Sequence, residues 1–213
     1  MLIKVCGMRE AENISALQQE VNPDLMGLIF YPKSSRYVET PQPIMSKLTI
    51  PKVGVFVNAT EEELLATAEK YQLAYLQLHG DEPVELLRSL KARSRVKLIK
   101  VFRVSGAVDW RALEAYESYV DYFLFDTQTK AYGGSGHQFD WSVLEDYPLK
   151  KPFLLSGGID TASIPDLVSF SKKSPMMAGV DINSKFEDNP ALKNIPELKR
   201  FKASLLEALG ERE

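Results

Sequence analysis

The sequence predicts a (β/α)8 TIM barrel, read as a single domain over residues 1–213. Three observations carry this. Eight short apolar runs recur along the chain, each followed by a helix or by helix-length sequence. Their starts are spaced by roughly 22 to 31 residues, the length of one strand–helix unit. The runs are uniformly apolar rather than alternating, as expected of parallel strands covered on both faces. An open doubly wound sheet is the competing arrangement, but no strand boundary carries a composition shift that would mark a second domain or a reversal of order. At 213 residues the barrel is smaller than the usual ~250.

The first strand is Leu2-Ile3-Lys4-Val5, stopping at Cys6-Gly7, and Ile14 and Leu17 give its helix, Arg9 to Gln19, an apolar face. Leu25 to Phe30 forms the second strand, and a short helix over Thr40 to Leu48 has Pro41 in its first turn. Lys52 to Val57 is the third strand. Thr60 and Glu63 then form a capping box for a helix reaching Tyr71. Ala74 to Leu78 is the fourth strand, ending at His79-Gly80-Asp81, and Pro83 opens a helix to Leu90. The fifth strand, Lys97 to Phe102, precedes a helix over Val108 to Tyr119. Tyr122 to Phe125 is the sixth; Asp126 follows it, then a loop with Gly133, Gly134 and Gly136, then Asp140 as the cap of a short helix. Pro152 to Leu155 and Met177 to Val180 complete the set, with helices over Thr161 to Phe170 and Ile195 to Leu209.

Composition narrows the class. With 45% hydrophobic and 26% charged residues, the chain can build a packed core. The net charge of -3 argues against a general nucleic-acid binder, which would show a basic face. The single cysteine, Cys6, excludes an internal disulfide and a cysteine-cluster metal site. The N-terminus does not read as a signal peptide, and no stretch nears the roughly 18 apolar residues of a membrane helix. The expectation is a cytoplasmic protein with no membrane or nucleic-acid partner.

In a barrel the site lies at the C-terminal ends of the strands. Those ends carry Cys6, Phe30 with Arg36 beyond it, Asn58, His79, Arg103, Asp126, Ser156-Gly157-Gly158 and Asp181. Gly157-Gly158 and the loop Asp181-Ile182-Asn183-Ser184 follow strands seven and eight, where barrels often bind phosphate through backbone N–H groups. Asp181 cannot itself hold a phosphate dianion and is expected to cap or orient that loop. Cys6 and Asp126 are a candidate acid/base pair; the alternatives are a small buried hydrophobe and a loop acid making turn hydrogen bonds. His79 is a third candidate, or a neutral histidine bonded to backbone. Arg36 suits a carboxylate or phosphate clamp, or a surface salt bridge. Cys6, His79 and Asp126 have no metal-ligand spacing, so no metal is expected. Lys4 is where a strand-borne catalytic lysine would sit, though mid-strand it could also face outward or line the barrel floor.

Seven motifs in order resemble the phosphoribosylanthranilate isomerase family. They are Lys4-Val5-Cys6-Gly7, Ser35-Arg36-Tyr37-Val38, Gly54 to Asn58, Leu76 to Gly80, Gly134-Ser135-Gly136 with Phe139-Asp140-Trp141, Leu155 to Ile159, and Gly179-Val180-Asp181. The resemblance implies a cofactor-free aldose–ketose isomerase of tryptophan biosynthesis, acting on a small molecule as a monomer or homodimer. It implies Asp126 as general acid, Cys6 as general base and Arg36 at the anthranilate side. Gly134, Gly157, Gly158, Asp181, Asn183 and Ser184 would hold the phosphate, and His79 would line the site. The chain departs from the family at Asn183, where serine is common, and at Lys185-Phe186, where Gly-Val is common. Over Asn189 to Asn194 the match is too loose to assign any residue.

Overall fold

The computed structural model describes residues 1–127 and 140–211. Eight parallel strands close in chain order: β1 (Leu2–Val5), β2 (Leu25–Ile29), β3 (Lys52–Phe56), β4 (Tyr75–Leu78), β5 (Lys97–Val104), β6 (Tyr122–Thr127), β7 (Phe153–Leu155) and β8 (Met177–Ile182). β8 returns to β1, with Lys4 opposite Asp181 and Val5 opposite Ile182. The sequence expectation of a closed (β/α)8 barrel is therefore met.

Side chains two apart on a strand share a face, and this sorts the barrel into two shells. Leu25, Val53, Tyr75, Ile99, Val101, Leu124 and Leu154 pack inside. Ile3, Val5, Phe123, Phe125, Phe153 and Leu155 face outward, onto the helices. Each fully buried Phe or Leu in that outer shell contributes about 1.5–3 kcal/mol. The inward parity is what matters for function: it carries Lys4 and Cys6, Gln77 and His79, and Leu124 and Asp126 toward the barrel axis.

The helices follow the predicted order but not always the predicted lengths. α1 (Ala11–Ala16) continues as a π-helical turn over Leu17–Val21 and stops at left-handed Asn22. The expected helix at Thr40 to Leu48 is a 3-10 turn, Pro43–Lys47. Pro43 disfavours helical backbone at the residue before it, and Gln42 is extended, so no helix starts earlier. α2 (Glu61–Tyr71) has the capping box of Thr60 and Glu63. α3 (Val84–Arg93) begins after Pro83. α4 (Trp110–Glu114) is shorter than expected. Tyr116 leaves the helical course to stack edge-on against Phe102 at 5.5 Å and donates its hydroxyl to the Glu82 carbonyl. Asp140 caps only a 3-10 turn, Trp141–Leu144. α5 (Ile164–Lys173) and α6 (Ile195–Leu209) close the outer layer.

One element has no counterpart in the sequence reading. Between β8 and α6 the chain makes a 3-10 turn, Ser184–Phe186, then a small antiparallel hairpin, β9 (Glu187–Asn189) with β10 (Leu192–Lys193). Phe186, a departure from the family pattern, is fully buried and stacks on Phe201 at 4.9 Å. Among the described residues no helix is long and apolar enough to cross a membrane.

Candidate active site

The C-terminal ends of the strands open on one cleft of about 860 Å³, counting its mouth. Of the residues selected from sequence, Cys6, Arg36, His79, Asp126, Gly157, Gly158, Asp181, Asn183 and Ser184 all line it. Gly133, Gly134 and Gly136 lie outside the described residues. Asn58 and Arg103 are turned to other work. The Asn58 side chain accepts from the Asp81 N–H, and Arg103 pairs with Asp81 at 2.6 Å on the rim.

Cys6 follows directly on β1, and its N–H donates to the Ile182 carbonyl of β8 at 2.9 Å. The thiol is buried, and burial pushes it up from its ordinary range; Lys4 works most strongly in the opposite direction. Lys4 does not face outward. Its ammonium is fully buried on the barrel floor and donates to Asp181 Oδ1 at 2.7 Å. Burial opposes that charge, but Asp181 and the neighbouring thiol hold the ammonium above its ordinary value. Asp181 thus departs from expectation. β8 runs through it to Ile182, and its carboxylate turns to the floor rather than capping the loop beyond.

Asp126 is the penultimate residue of β6, about one-eighth exposed. Its Oδ1 accepts from the Thr127 N–H at 2.9 Å, and its Oδ2 lies 3.3 Å from His79 Nε2. Gln77, two residues back along β4 and on the same face, approaches the other ring nitrogen of His79 at 3.3 Å. Among the described residues His79 Nε2 makes no hydrogen bond, so its approach to Asp126 is one of proximity and not a directed bond. His79 is therefore the neighbour of the carboxyl group and not a backbone-bonded bystander.

Arg36 forms the third corner. Its Nε and Nη2 grip Glu187 of β9 in a two-pronged contact at 2.6 to 3.0 Å. Glu187 also accepts from Lys193 of β10 at 2.6 Å, and Lys193 donates to Asn183 Oδ1 at 2.6 Å. Burial would raise the Glu187 carboxyl, but the two cations hold it below its usual range. Arg36 is correspondingly held above its own. Glu187 and Lys193 were missed from sequence. They sit some 150 residues from Arg36 in the chain, in a hairpin too short to give a strand signal. Lys193 is almost fully buried with no apolar periodicity to announce it. Asn183, the other departure from the family pattern, has its side chain taken up by Lys193.

The loops after β7 and β8 line the cleft with Gly157, Gly158, Asn183 and Ser184. Gly157 and Gly158 both have left-handed φ, 93° and 63°, a conformation cheap only for glycine. A Cβ on Gly157 would overlap the Thr127 hydroxyl beside Asp126. Gly157→Ala is thus expected to lower stability by about 1–3 kcal/mol through backbone strain and crowding. Urea unfolding checks this, and an unchanged midpoint would show that the loop relaxes freely. Among the described residues no group of three or more His, Cys, Asp or Glu is placed to hold a metal ion.

Parallel-stranded closure with titratable groups gathered at the C-terminal mouth defines a (β/α)8 barrel enzyme. The family model described as N-(5'phosphoribosyl)anthranilate (PRA) isomerase matches residues 3–203, and the chain belongs to that family. A curated N-(5'-phosphoribosyl)anthranilate isomerase from Parabacteroides distasonis is 46% identical over 211 residues, covering 97% of this chain and 94% of the relative. One from Phocaeicola vulgatus is 46% identical over 201 residues, covering 94% and 96%. The solved phosphoribosyl anthranilate isomerase of Thermotoga maritima superposes with a TM-score of 0.80 at 34% identity, covering 96% of this chain and 98% of that one. A further solved isomerase of the family, in complex with reduced 1-(o-carboxyphenylamino)-1-deoxyribulose 5-phosphate, gives a TM-score of 0.79 at 30% identity over the same shares.

Proposed function

We propose that this chain carries out the reaction of its family with Asp126 as general acid and Cys6 as general base. It converts N-(5'-phosphoribosyl)anthranilate to 1-(2-carboxyphenylamino)-1-deoxyribulose 5-phosphate, a step of tryptophan biosynthesis. The observation that carries the residue assignment is that Cys6 and Asp126 face one cleft from β1 and β6, with β7 and β8 between them round the barrel.

The chemistry needs one proton given and one taken. Asp126 donates to the ribose ring oxygen, the C1–O bond breaks, and the anthranilate nitrogen becomes an iminium. That cation acidifies the C2–H bond. Cys6, as thiolate, takes the C2 proton, and the electron pair left behind neutralises the iminium to give an enolamine. Tautomerisation yields the ketone. Oxidation at C2 and reduction at C1 balance within one molecule, so no redox cofactor enters the scheme. Acid and base on separate walls of the cleft suit reacting atoms on different sides of the sugar, and positioned groups of this kind contribute about 10²–10⁴-fold each.

The remaining groups hold the substrate. Gly157, Gly158, Asn183 and Ser184 would offer N–H groups to the phosphate, remote from C1 and C2, where binding energy is used for orientation. Gly134 is assigned to the same task by resemblance. Asp181 carries the same charge sign as a phosphate and is engaged by Lys4, so we give it an orienting role. His79 would line the site beside Asp126. Arg36 would take the anthranilate carboxylate. Glu187 occupies the Nε edge of its guanidinium, which leaves the Nη1 edge for the ligand. Arg36→Lys should therefore raise KM about 10- to 100-fold with a smaller change in kcat, since lysine cannot serve two carboxylates with a fixed fork. Steady-state kinetics checks this, and an unchanged KM would remove Arg36 from the carboxylate site.

We read the protein as a cytoplasmic enzyme of small molecules, without a nucleic-acid partner. It would work as a monomer or homodimer; the Thermotoga maritima relative is described as dimeric. Complementation of a tryptophan auxotroph lacking the isomerase tests the reading. Growth with the wild-type gene and none with Asp126→Ala is expected; failure of a folded wild-type protein to complement would overturn it. A sister barrel enzyme using a catalytic lysine is disfavoured by Lys4, whose ammonium is tied to Asp181 beneath the cleft.

A further inference from the structure

Of the buried charged pairs that the mechanism does not use, Lys4–Asp181 lies beside the base. Lys4 and Asp181 face each other on adjacent strands at the bottom of the cleft, with Lys4 fully buried and Asp181 nearly so. A buried ion pair of this kind contributes little to stability by itself, because desolvation offsets the attraction. Its position is more informative. Lys4 and Cys6 are two apart on the inward face of β1. A Cβ on Gly27 of β2 would fall 2.7 Å from Cys6 Sγ and 3.1 Å from Lys4 Nζ. Ammonium and sulfur are thus within about 6 Å of each other, the range in which an opposite charge stabilises an ion strongly. Only a glycine at 27 leaves room for both.

We propose that Lys4 is a positioning residue for the isomerisation: its ammonium, fixed by Asp181, is the countercharge against which the Cys6 thiolate forms. The proposal rests on Cys6 being the base. A buried thiol does not ionise easily, and the base is useful only as thiolate. Four charged groups bear on the sulfur: Lys4 on β1, Asp181 on β8, Lys193 on β10 and Arg36 after β2. Lys4 favours the thiolate most, and Asp181 opposes it less than Lys4 supports it. Lys193 supports it more weakly, and both Lys193 and Arg36 are already engaged by Glu187. Lys4 thus has two tasks: to face Asp181, which keeps it charged and still, and to face the thiol. When the thiolate takes the C2 proton, the floor passes from one net negative charge, spread over Asp181, Lys4 and the thiolate, to the balanced Lys4–Asp181 pair beside a neutral thiol.

The chain has one cysteine, so protein labelled with 13C at cysteine Cβ gives a single resonance whose shift reports thiol ionisation. Lys4→Met is expected to move that titration upward by about 1–3 pH units. At fixed pH below the midpoint, kcat should fall by up to about ten-fold for each unit, with KM little changed. Lys4→Arg should recover part of both. If Lys4→Met does not fold, because Asp181 is left buried and unpaired, the double variant Lys4→Met/Asp181→Asn removes both charges. The midpoint should still rise, by less. A midpoint unmoved in whichever variant folds would overturn the inference and leave the pair a structural plug. That result is distinct from failure of the base assignment, which would appear as normal turnover in Cys6→Ala.

Discussion

Asp126→Asn should fold and bind but turn over about 10²–10⁴-fold more slowly, the usual contribution of a general acid. The substitution keeps the shape of the side chain. Its remaining carbonyl oxygen can still accept the Thr127 N–H, as Oδ1 does now at 2.9 Å. His79 can change tautomer to suit the new amide. What the amide cannot do is release a proton, so the ring oxygen would have to leave without protonation. The loss should therefore fall on kcat, with affinity for a reduced product analogue preserved within a few fold, the signature of an interaction made only on the way to the transition state. Stopped assays for turnover and calorimetry for binding separate the two. A kcat within ten-fold of wild type would show that another group is the acid, and His79 would be the next to replace.

Cys6→Ser is the second large effect. Serine fits the space, makes the same backbone contact with Ile182, and avoids the cavity that alanine would leave beside Gly27. Its hydroxyl ionises far less readily than a thiol, so even Lys4 at close range cannot supply a useful fraction of base. We expect kcat to fall by about 10²–10⁴-fold, and Cys6→Ala to match it. Combining Cys6→Ser with Asp126→Asn should cost less than the product of the single losses, because acid and base serve successive steps of one reaction. Turnover near wild type in Cys6→Ser would remove the thiol from the mechanism.

The barrel was legible because each strand is a local apolar run, and a closed ring of parallel strands is the arrangement that covers all eight on both faces. Asp126 was legible for the same reason: it follows Tyr122 to Phe125, so its place at the mouth comes with the strand. Direction was harder. Whether Lys4 faces the axis depends on the register with β8, where it meets Asp181, and no local pattern reports that. The Arg36–Glu187–Lys193 network was hidden for a related reason. Arg36 was singled out by its own chemistry, but Glu187 and Lys193 acquire meaning only when their hairpin meets the loop after β2 and Asn13 of α1. Helix lengths were misread where tertiary contacts win over propensity, as when Tyr116 leaves its helix for Phe102.

The proposed mechanism stands on proton transfer between Asp126, the sugar and Cys6 alone. The direct measurement is the fluorescence of the substrate, generated in situ, after adding purified protein in EDTA with no nucleotide. Decay with the wild-type protein, and none above buffer with the folded Cys6→Ser/Asp126→Asn variant, is the predicted result. A folded wild-type protein that leaves the fluorescence unchanged, or a double variant that matches it in rate, would contradict the account.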